Sequence, residues 1–210
     1  MASTQQPTTR LGSTPRTASQ VRTLHAALEL FAECGVGATS YQMIADAVGV
    51  TKGAIYHQFN TKDEIIIAVA EMELARLEDA LEAAEALDCR IEARELLLNR
   101  VIDHAVGHRR AANTLQFDPV IVRLLSEHEP FQRFIERLYG MLVGDEPGPD
   151  TQVRLAALTC VVGGTVSHPL VADLDDDTLR IQLLDMARRI VGLPDLSQRR
   201  TNRKSKRASA

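Results

Sequence analysis

The residues best suited to chemistry in this chain lie close together in one short stretch. On a helix beginning after Thr51, Gly53, Tyr56 and His57 fall on one side, and Lys52 flanks them at the amino end. A helix fits the major groove of DNA, where base edges present distinct donors and acceptors. A lysine and a glycine in the first turn permit close approach to those edges, and a tyrosine hydroxyl can reach a phosphate. The stretch therefore predicts a helix that reads DNA.

The flanking residues predict the short elements that would present this helix. Thr39, Thr51 and Thr61 are good N-cap residues, and we expect Gln42 to complete a capping box with Thr39. Gly49 can adopt the left-handed conformation of a tight corner. Helix, sharp turn and helix thus follow one another, and the free N–H groups at residues 40–42 and 62–63 suit phosphate oxygens.

The run from Phe31 to Glu64, FAECGVGATSYQMIADAVGVTKGAIYHQFNTKDE, resembles the amino-terminal DNA-binding domain of TetR/AcrR (tetracycline-repressor-like) regulators. The resemblance implies an all-helical homodimer with a ligand-binding, dimer-forming domain behind the DNA-binding domain. It places Lys52, Gly53 and Ala54 at base edges. Positions that such proteins commonly use for phosphate and sugar are Thr39, Ser40, Tyr41, Thr51, Tyr56 and Lys62. His57 lies on the same face, and we expect Arg16 and Arg22 to anchor further phosphates.

The distribution of charge divides the chain more clearly than its net charge of -4. Residues 1–62 carry a net charge of +2, residues 63–198 carry -12, and residues 199–210 carry +6. The sequence has no apolar run of about 18 residues that could span a bilayer, and its start lacks the apolar segment of a secretory signal. We therefore expect a cytoplasmic protein without membrane association. Its three cysteines, Cys34, Cys89 and Cys160, are far apart and predict reduced, mostly buried thiols.

Helical periodicity and the absence of strand-like alternation predict an all-α fold. We expect a disordered arm at residues 1–17, a three-helix helix-turn-helix DNA-binding domain at 18–62, a helical ligand-binding and dimerisation domain at 63–196, and a basic disordered tail at 197–210.

The acidic domain offers candidate ligand contacts but no catalytic pattern. Polar or aromatic residues on otherwise apolar helices could line a pocket: His104, His108, Gln116, Phe117, Phe134 and Tyr139. For any single one of them, ordinary core or surface is the better interpretation. His104 and His108 are four residues apart and could share a metal, yet two ligands are too few, and Ala105 stands where a hydrolytic motif needs glutamate. The sequence predicts no cofactor, no metal and no enzymatic activity.

The last two predicted helices, at residues 151–168 and 175–191, carry apolar stripes that could form a dimer interface. The candidates are Leu155, Leu158, Val162, Gly163, Val166, Leu179, Leu183, Met186 and Ile190. A two-fold axis would double this helix pair into a four-helix bundle. The alternative is that the pair packs onto its own chain.

These features predict a sequence-specific DNA-binding transcriptional regulator. We expect a homodimeric repressor that binds a palindromic operator and is released by a small-molecule effector through the long helix at residues 61–84. One alternative is a ligand-independent architectural or silencing DNA-binding protein that grips DNA non-specifically with its basic tail. Another is an enzyme that uses the histidine pair.

Overall fold

The computed structural model describes residues 10–109, 114, 117–144 and 148–194. The described residues include nine α-helices: α1 (Ala18–Cys34), α2 (Tyr41–Val48), α3 (Lys52–Gln58), α4 (Lys62–Glu85), α5 (Arg90–Gly107), α6 (Pro119–Glu127), α7 (Glu129–Leu142), α8 (Pro149–Thr159) and α9 (Asp176–Ile190). A π-helical turn, Cys160–Gly164, continues α8, and a 3-10 turn, Pro169–Val171, precedes α9. The all-α prediction is confirmed for these residues.

The chain divides into two compact units. The first unit comprises the part up to Glu82 together with His108–Leu138, and the second comprises Ala83–Gly107 and the part from Tyr139 onward. This division differs from the predicted boundary between residues 62 and 63, because the start of α4 belongs to the core of the first unit.

The core of the first unit combines the three amino-terminal helices with α4 and α6. Leu24 and Phe31 of α1 are buried in one cluster with Ile55 of α3 and Ile66 of α4. Helices of seven and eight residues bury too little apolar surface to be stable alone, so α3 and α2 depend on the longer helices beside them. On α1 the buried residues Leu24, Leu28 and Phe31 lie on one face, and this face packs into the core.

The segment before α1 is ordered from residue 10 onward, which corrects the predicted disorder of that part of the arm. Leu11 is buried, and the Arg10 guanidinium donates to the Asp79 and Glu82 carboxylates of α4. Thr17 and Gln20 then form a reciprocal capping box at the start of α1. Residues 1–9 and the basic tail at 197–210 lie outside the described residues.

The second unit is built around the packing of α9 against α5 and α8. Leu97 and Ile102 of α5 are fully buried, as are Leu179 and Leu183 of α9. Asp175 caps α9 by accepting the Thr178 N–H at 2.9 Å, and this hydrogen bond lowers the pKa of its carboxyl.

Most of the predicted dimer stripe is buried within this second unit, which corrects that prediction. The buried members are Leu158, Val162, Gly163, Val166, Leu179 and Leu183, whereas Leu155 and Ile190 are half-buried and Met186 is exposed. An apolar period identifies the face that packs, but it does not say whether the partner is the same chain or a copy. The alternative interpretation, packing within the chain, holds for the buried members.

The cysteines and the helices bear on two further expectations. Cys34, Cys89 and Cys160 are all exposed, so the prediction of buried thiols is wrong. Among the described residues, no helix combines the length and the apolar character that crossing a bilayer requires.

The docking of the amino-terminal segment depends on Gly12. Its φ is +71°, and an added Cβ would lie 2.9 Å from the Glu71 carbonyl oxygen and 3.0 Å from the Ala75 Cβ. Gly12→Ala should lower the free energy of unfolding by at least about 1 kcal/mol, measured by urea denaturation of the full chain.

Gly37→Ala is the matched control, because a Cβ there meets nothing within 4 Å and Gly37 is not among the glycines with positive φ. It should change the stability by less than about 0.5 kcal/mol. Equal effects of the two substitutions would contradict the close approach of Gly12 to α4.

Candidate nucleic-acid interface

Helices α2 and α3 form a tight helix-turn-helix whose corner is Gly49. Gly49 has φ +76° and ψ 38°, and its N–H donates to the carbonyls of Ala45 and Asp46. The Val50 N–H also donates to the Ala45 carbonyl, at 2.9 Å. A Cβ at Gly49 would meet nothing within 4 Å, so the left-handed backbone alone favours glycine there. The predicted corner is present at the predicted residue.

The outer face of α3 carries the side chains that the sequence assigned to it. Lys52, Gly53 and His57 are exposed, and Tyr56 is 44% exposed. Ile55, on the opposite side, is fully buried. The Thr51 hydroxyl caps α3 by accepting the Ala54 N–H at 3.2 Å. A short helix is thereby held with a cation, a phenol and an imidazole directed to solvent.

Two tyrosines from different helices stack at this face. The rings of Tyr41 in α2 and Tyr56 in α3 lie 4.2 Å apart between centroids, with 13° between their planes. The Lys52 ammonium lies 5.7 Å from the centroid of Tyr56, within the range of a cation–π interaction. Tyr41 and Tyr56 are therefore one prearranged unit, which the sequence analysis missed because no local spacing connects residues fifteen positions apart.

The Tyr41 phenol remains protonated at neutral pH. Its hydroxyl donates to the Phe59 carbonyl at 3.5 Å. Burial raises its pKa, and the negative charges that Tyr56, Glu64 and Asp63 can carry raise it further. A protonated phenol is a hydrogen-bond donor and carries no charge that would repel a phosphate.

The helix starts beside this face are capped in a way that differs in part from the prediction. Ser40, not Thr39, caps α2 by accepting the Met43 N–H at 3.2 Å. Thr61 accepts the Glu64 N–H at 3.1 Å, as predicted, and the Lys62 ammonium donates to the Gly37 carbonyl at 3.4 Å. Ser40, Thr61 and Lys62 thus tie both helix starts to the same surface region.

Thr39 lies inside the unit, contrary to its predicted exposure to phosphate. Its side chain is only 2% exposed, and its hydroxyl donates to the Gly35 carbonyl at 2.9 Å. The expected capping box with Gln42 is absent as well, since the Gln42 amide donates to Asp46 at 2.7 Å. A β-hydroxyl satisfied by the preceding loop is not available to DNA.

The two arginines assigned to phosphate have different surroundings. Arg22 is exposed on α1. The Arg16 guanidinium instead contacts the Glu71 carboxylate of α4 at 2.5 Å, and Glu71 also lies 3.2 Å from the His128 imidazole. Arg16 is mostly buried in this pair, so the prediction that it is free to anchor a phosphate is not supported by this structure.

The described members of the predicted ligand set are divided between the two units. Phe134 is buried in the first unit, where His108 contacts the Glu73 carboxylate at 3.0 Å. Tyr139 belongs to the second unit and exchanges a hydrogen bond with Thr159 at 3.2 Å. Of the remaining candidates, His104 is half-buried in the second unit, Phe117 is exposed, and Gln116 lies outside the described residues. Within the described ranges, no three His, Cys, Asp or Glu side chains are grouped as a metal site would require.

The stacked pair makes a measurable contribution to the stability of the first unit. Tyr41→Leu should lower the free energy of unfolding by about 0.5–1.5 kcal/mol beyond the loss of buried area, because stacked aromatic pairs contribute that amount. Tyr41→Phe keeps the ring and removes only the hydroxyl that reaches Phe59, so it is the matched control. If Tyr41→Phe destabilised the chain as much as Tyr41→Leu in urea denaturation, the hydroxyl rather than the stack would be the source.

Comparison with known proteins matches the segment that contains this face. Residues 24–69 match the family model described as bacterial regulatory proteins, tetR family. The chain is also 24% identical over 167 residues to the HTH-type transcriptional regulator UidR of Escherichia coli strain K12, an alignment that covers 77% of this chain and 84% of UidR.

Solved structures share the fold along most of the chain. A TetR-like transcriptional regulator from Rhodococcus sp. RHA1 aligns with a TM-score of 0.62 and 22% identity, covering 85% of this chain and 99% of the other. The transcriptional regulator FadR from Bacillus subtilis, solved in complex with stearoyl-CoA, aligns with a TM-score of 0.61 and 19% identity over 83% of this chain and 99% of FadR.

Proposed function

We propose that the chain is a transcriptional regulator of the TetR/AcrR family, whose model matches residues 24–69, that the outer face of α3 reads an operator, and that the bound protein represses transcription. The observation that carries this proposal is the exposed face formed by Lys52, Gly53, Tyr56 and His57 on a helix held by the Gly49 corner. Lys52 and Gly53 lie in the first turn of α3, where a major-groove helix approaches base edges. A protein that binds an operator acts where the DNA is, and we propose the cytoplasm as its location.

Phosphate contacts surround the reading face in this proposal. Tyr56 supplies a phenol donor, Tyr41 supports the Tyr56 ring by stacking on it, and Ser40, Thr51 and Lys62 lie at the adjoining helix starts. Arg22 on α1 adds an exposed cation. Phosphate contacts position the protein on the duplex without reading sequence, and this division of labour leaves Lys52, Gly53 and Ala54 to specify bases.

Selection of bound duplexes from a random pool tests this function. The full chain should enrich a palindrome with half-sites about one helical turn or more apart, since two identical heads related by a two-fold axis read inverted half-sites. The contrary outcome is that the chain enriches no sequence and binds DNA with an affinity that varies with the salt concentration but not with the sequence. That result would favour the ligand-independent architectural alternative.

Two substitutions on α3 separate base reading from phosphate contact. Lys52→Met should relax the preferred sequence at one position in each half-site, at a cost of about 1–3 kcal/mol for the selected duplex. Tyr56→Phe should weaken binding to all duplexes alike, because a phosphate carries no sequence information. Both are measured by fluorescence anisotropy against the selected duplex and its single-base variants. A changed sequence preference in Tyr56→Phe would contradict its assignment to phosphate.

We propose that two copies of the chain associate through the outward faces of α8 and α9. The predicted stripe is largely internal, but Met186 of that stripe is exposed, and the same helices expose two further apolar side chains, Val153 at 67% and Ile181 at 60%. Large apolar side chains that remain exposed on two adjacent helices are typical of an interaction surface. A four-helix bundle formed by two such pairs supports the homodimer that a palindromic operator requires.

Ile181→Glu should convert the dimer to a monomer, because the interface would bury an unpaired carboxylate. Light scattering after size-exclusion chromatography measures the mass directly. Val122→Glu on α6 is the matched control, since Val122 is also a large exposed apolar residue but lies in the first unit. A dimer that survives Ile181→Glu would move the interface away from α9.

The effector is proposed to be a small molecule bound by the helices that follow the DNA-binding helices in the chain. The Bacillus subtilis FadR structure with stearoyl-CoA supports the capacity of this fold to hold one. Helix α4 is the proposed connection, because Ile65 and Ile66 at its start are buried with α1 and α3. A ligand shifts the protein toward the weaker-binding state only by its preference for that state, typically about 1–3 kcal/mol.

A further inference from the structure

Helix α3 has few apolar contacts to fix its orientation. It is seven residues long, and of its own side chains only Ile55 is among the buried ones, with Phe59 buried immediately after its end. These two residues are four apart and therefore lie along one line of the helix. Two contacts along a line resist translation but leave the helix able to rock about that line. Beyond the Tyr41–Tyr56 stack, which ties the outer face to α2, a third inner contact off the line is needed to hold α3 at one angle against α1.

Gln58 supplies that third contact through its side-chain amide. The Thr23 hydroxyl donates to the Gln58 Oε1 at 3.1 Å, and the Gln58 Nε2 donates to the Ser19 hydroxyl at 3.3 Å. Ser19 and Thr23 are one turn apart on α1, so the amide bridges two hydroxyls of a single helix face. An amide donates and accepts at once, which a leucine of similar size cannot do.

The Thr23 end of this bridge is buried. Thr23 is 0% exposed, and its hydroxyl is the group that holds the Gln58 oxygen toward α1. Removing one partner of a buried hydrogen bond leaves the other partner unsatisfied, so the Gln58 amide would turn toward water and release the end of α3.

We propose that Gln58 is a positioning residue that sets the angle of α3 in the groove and thereby sharpens the discrimination between operator and other DNA. This inference rests on the proposed DNA-binding function and adds to it. Lys52 and Tyr56 touch the duplex in that proposal, whereas Gln58 acts through them by fixing the helix that carries both. Base contacts need accurate placement, while phosphate contacts tolerate a small tilt, so loss of the bridge affects specific binding more than non-specific binding.

Thr23→Val in the full chain provides the test, because a fully buried side chain can alter DNA binding only through its neighbours. Affinities are measured by fluorescence anisotropy for the duplex selected by the wild type and for a scrambled duplex of equal length. Thr23→Val should weaken binding to the selected duplex about three- to tenfold and to the scrambled duplex less than about twofold. The salt dependence should keep its slope, since no phosphate contact is removed. Thr23→Ser retains the hydroxyl and should restore the wild-type ratio.

If Gln58 only stabilised the fold, loss of the bridge would weaken binding to both duplexes by the same factor. Equal weakening on both duplexes, or an unchanged ratio in Thr23→Val, would overturn the proposal. The double variant Thr23→Val/Gln58→Leu should lose no more discrimination than the worse single variant, because the two residues form one interaction. Additive losses would also overturn it.

Two further results distinguish a failure of this proposal from a folding defect of the variant and from a failure of the proposed DNA-binding function. If Thr23→Val does not fold, Ser19→Ala removes the other end of the bridge from a half-buried position, and an unchanged ratio there would overturn the proposal. A wild-type chain that prefers no duplex would instead refute the proposed function, before any variant is compared.

Discussion

The burial of Ile55 and Phe59 against α1 and the start of α4 is the constraint on which the rest of the structure depends. Helix α3 is too short to be stable by itself, so it exists only while its inner side is covered. Covering that side leaves the other side exposed by geometry, and Lys52, Gly53, Tyr56 and His57 are on it. The same contacts that fold the helix therefore create the surface that can read DNA.

The roles that could be predicted from the sequence are those that a residue performs on its near neighbours along the chain. Gly49, Thr51 and Thr61 act within a few residues of themselves, through a left-handed turn or a cap, and their roles were predictable from the sequence. Ser40 and Thr39 show the limit of this reasoning. Both can cap a helix, and the choice between them was made by the Gly35 carbonyl, which accepts from Thr39 and leaves the cap to Ser40.

Features that depend on distant residues were not predictable from spacing. The stack of Tyr41 on Tyr56 and the bridge from Gln58 to α1 each join separate helices. The apolar stripe of α9 was correctly located along the helix, yet α5 and α8 of the same chain cover it, while Ile181 faces outward. An apolar pattern identifies the residues that avoid water, but it does not show whether the same chain or another copy covers them.

The acidic residues of α4 show how net charge by segment can mislead. Glu71, Glu73 and Glu78 contribute to the negative body, but each contacts a cationic or imidazole side chain in the folded first unit. One such partner is Arg16, which the sequence had assigned to phosphate. In its pair with Glu71, the Arg16 guanidinium ties the chain before α1 to α4.

In the proposed function, a small change in free energy suffices to alter the DNA preference of α3, because few contacts orient this helix. An effector typically shifts the equilibrium between the two states of a regulator by about 1–3 kcal/mol. This free energy is comparable to the net contribution of one or two hydrogen bonds. The Thr23–Gln58–Ser19 bridge contains two hydrogen bonds, at 3.1 and 3.3 Å, between the helix that reads and the helix that supports it. Helix α1 shares its core with α4 through Leu24, Phe31 and Ile66. In the proposed function, a displacement of α4 would therefore need only to weaken this bridge, without unfolding any helix, to reduce the preference for the operator.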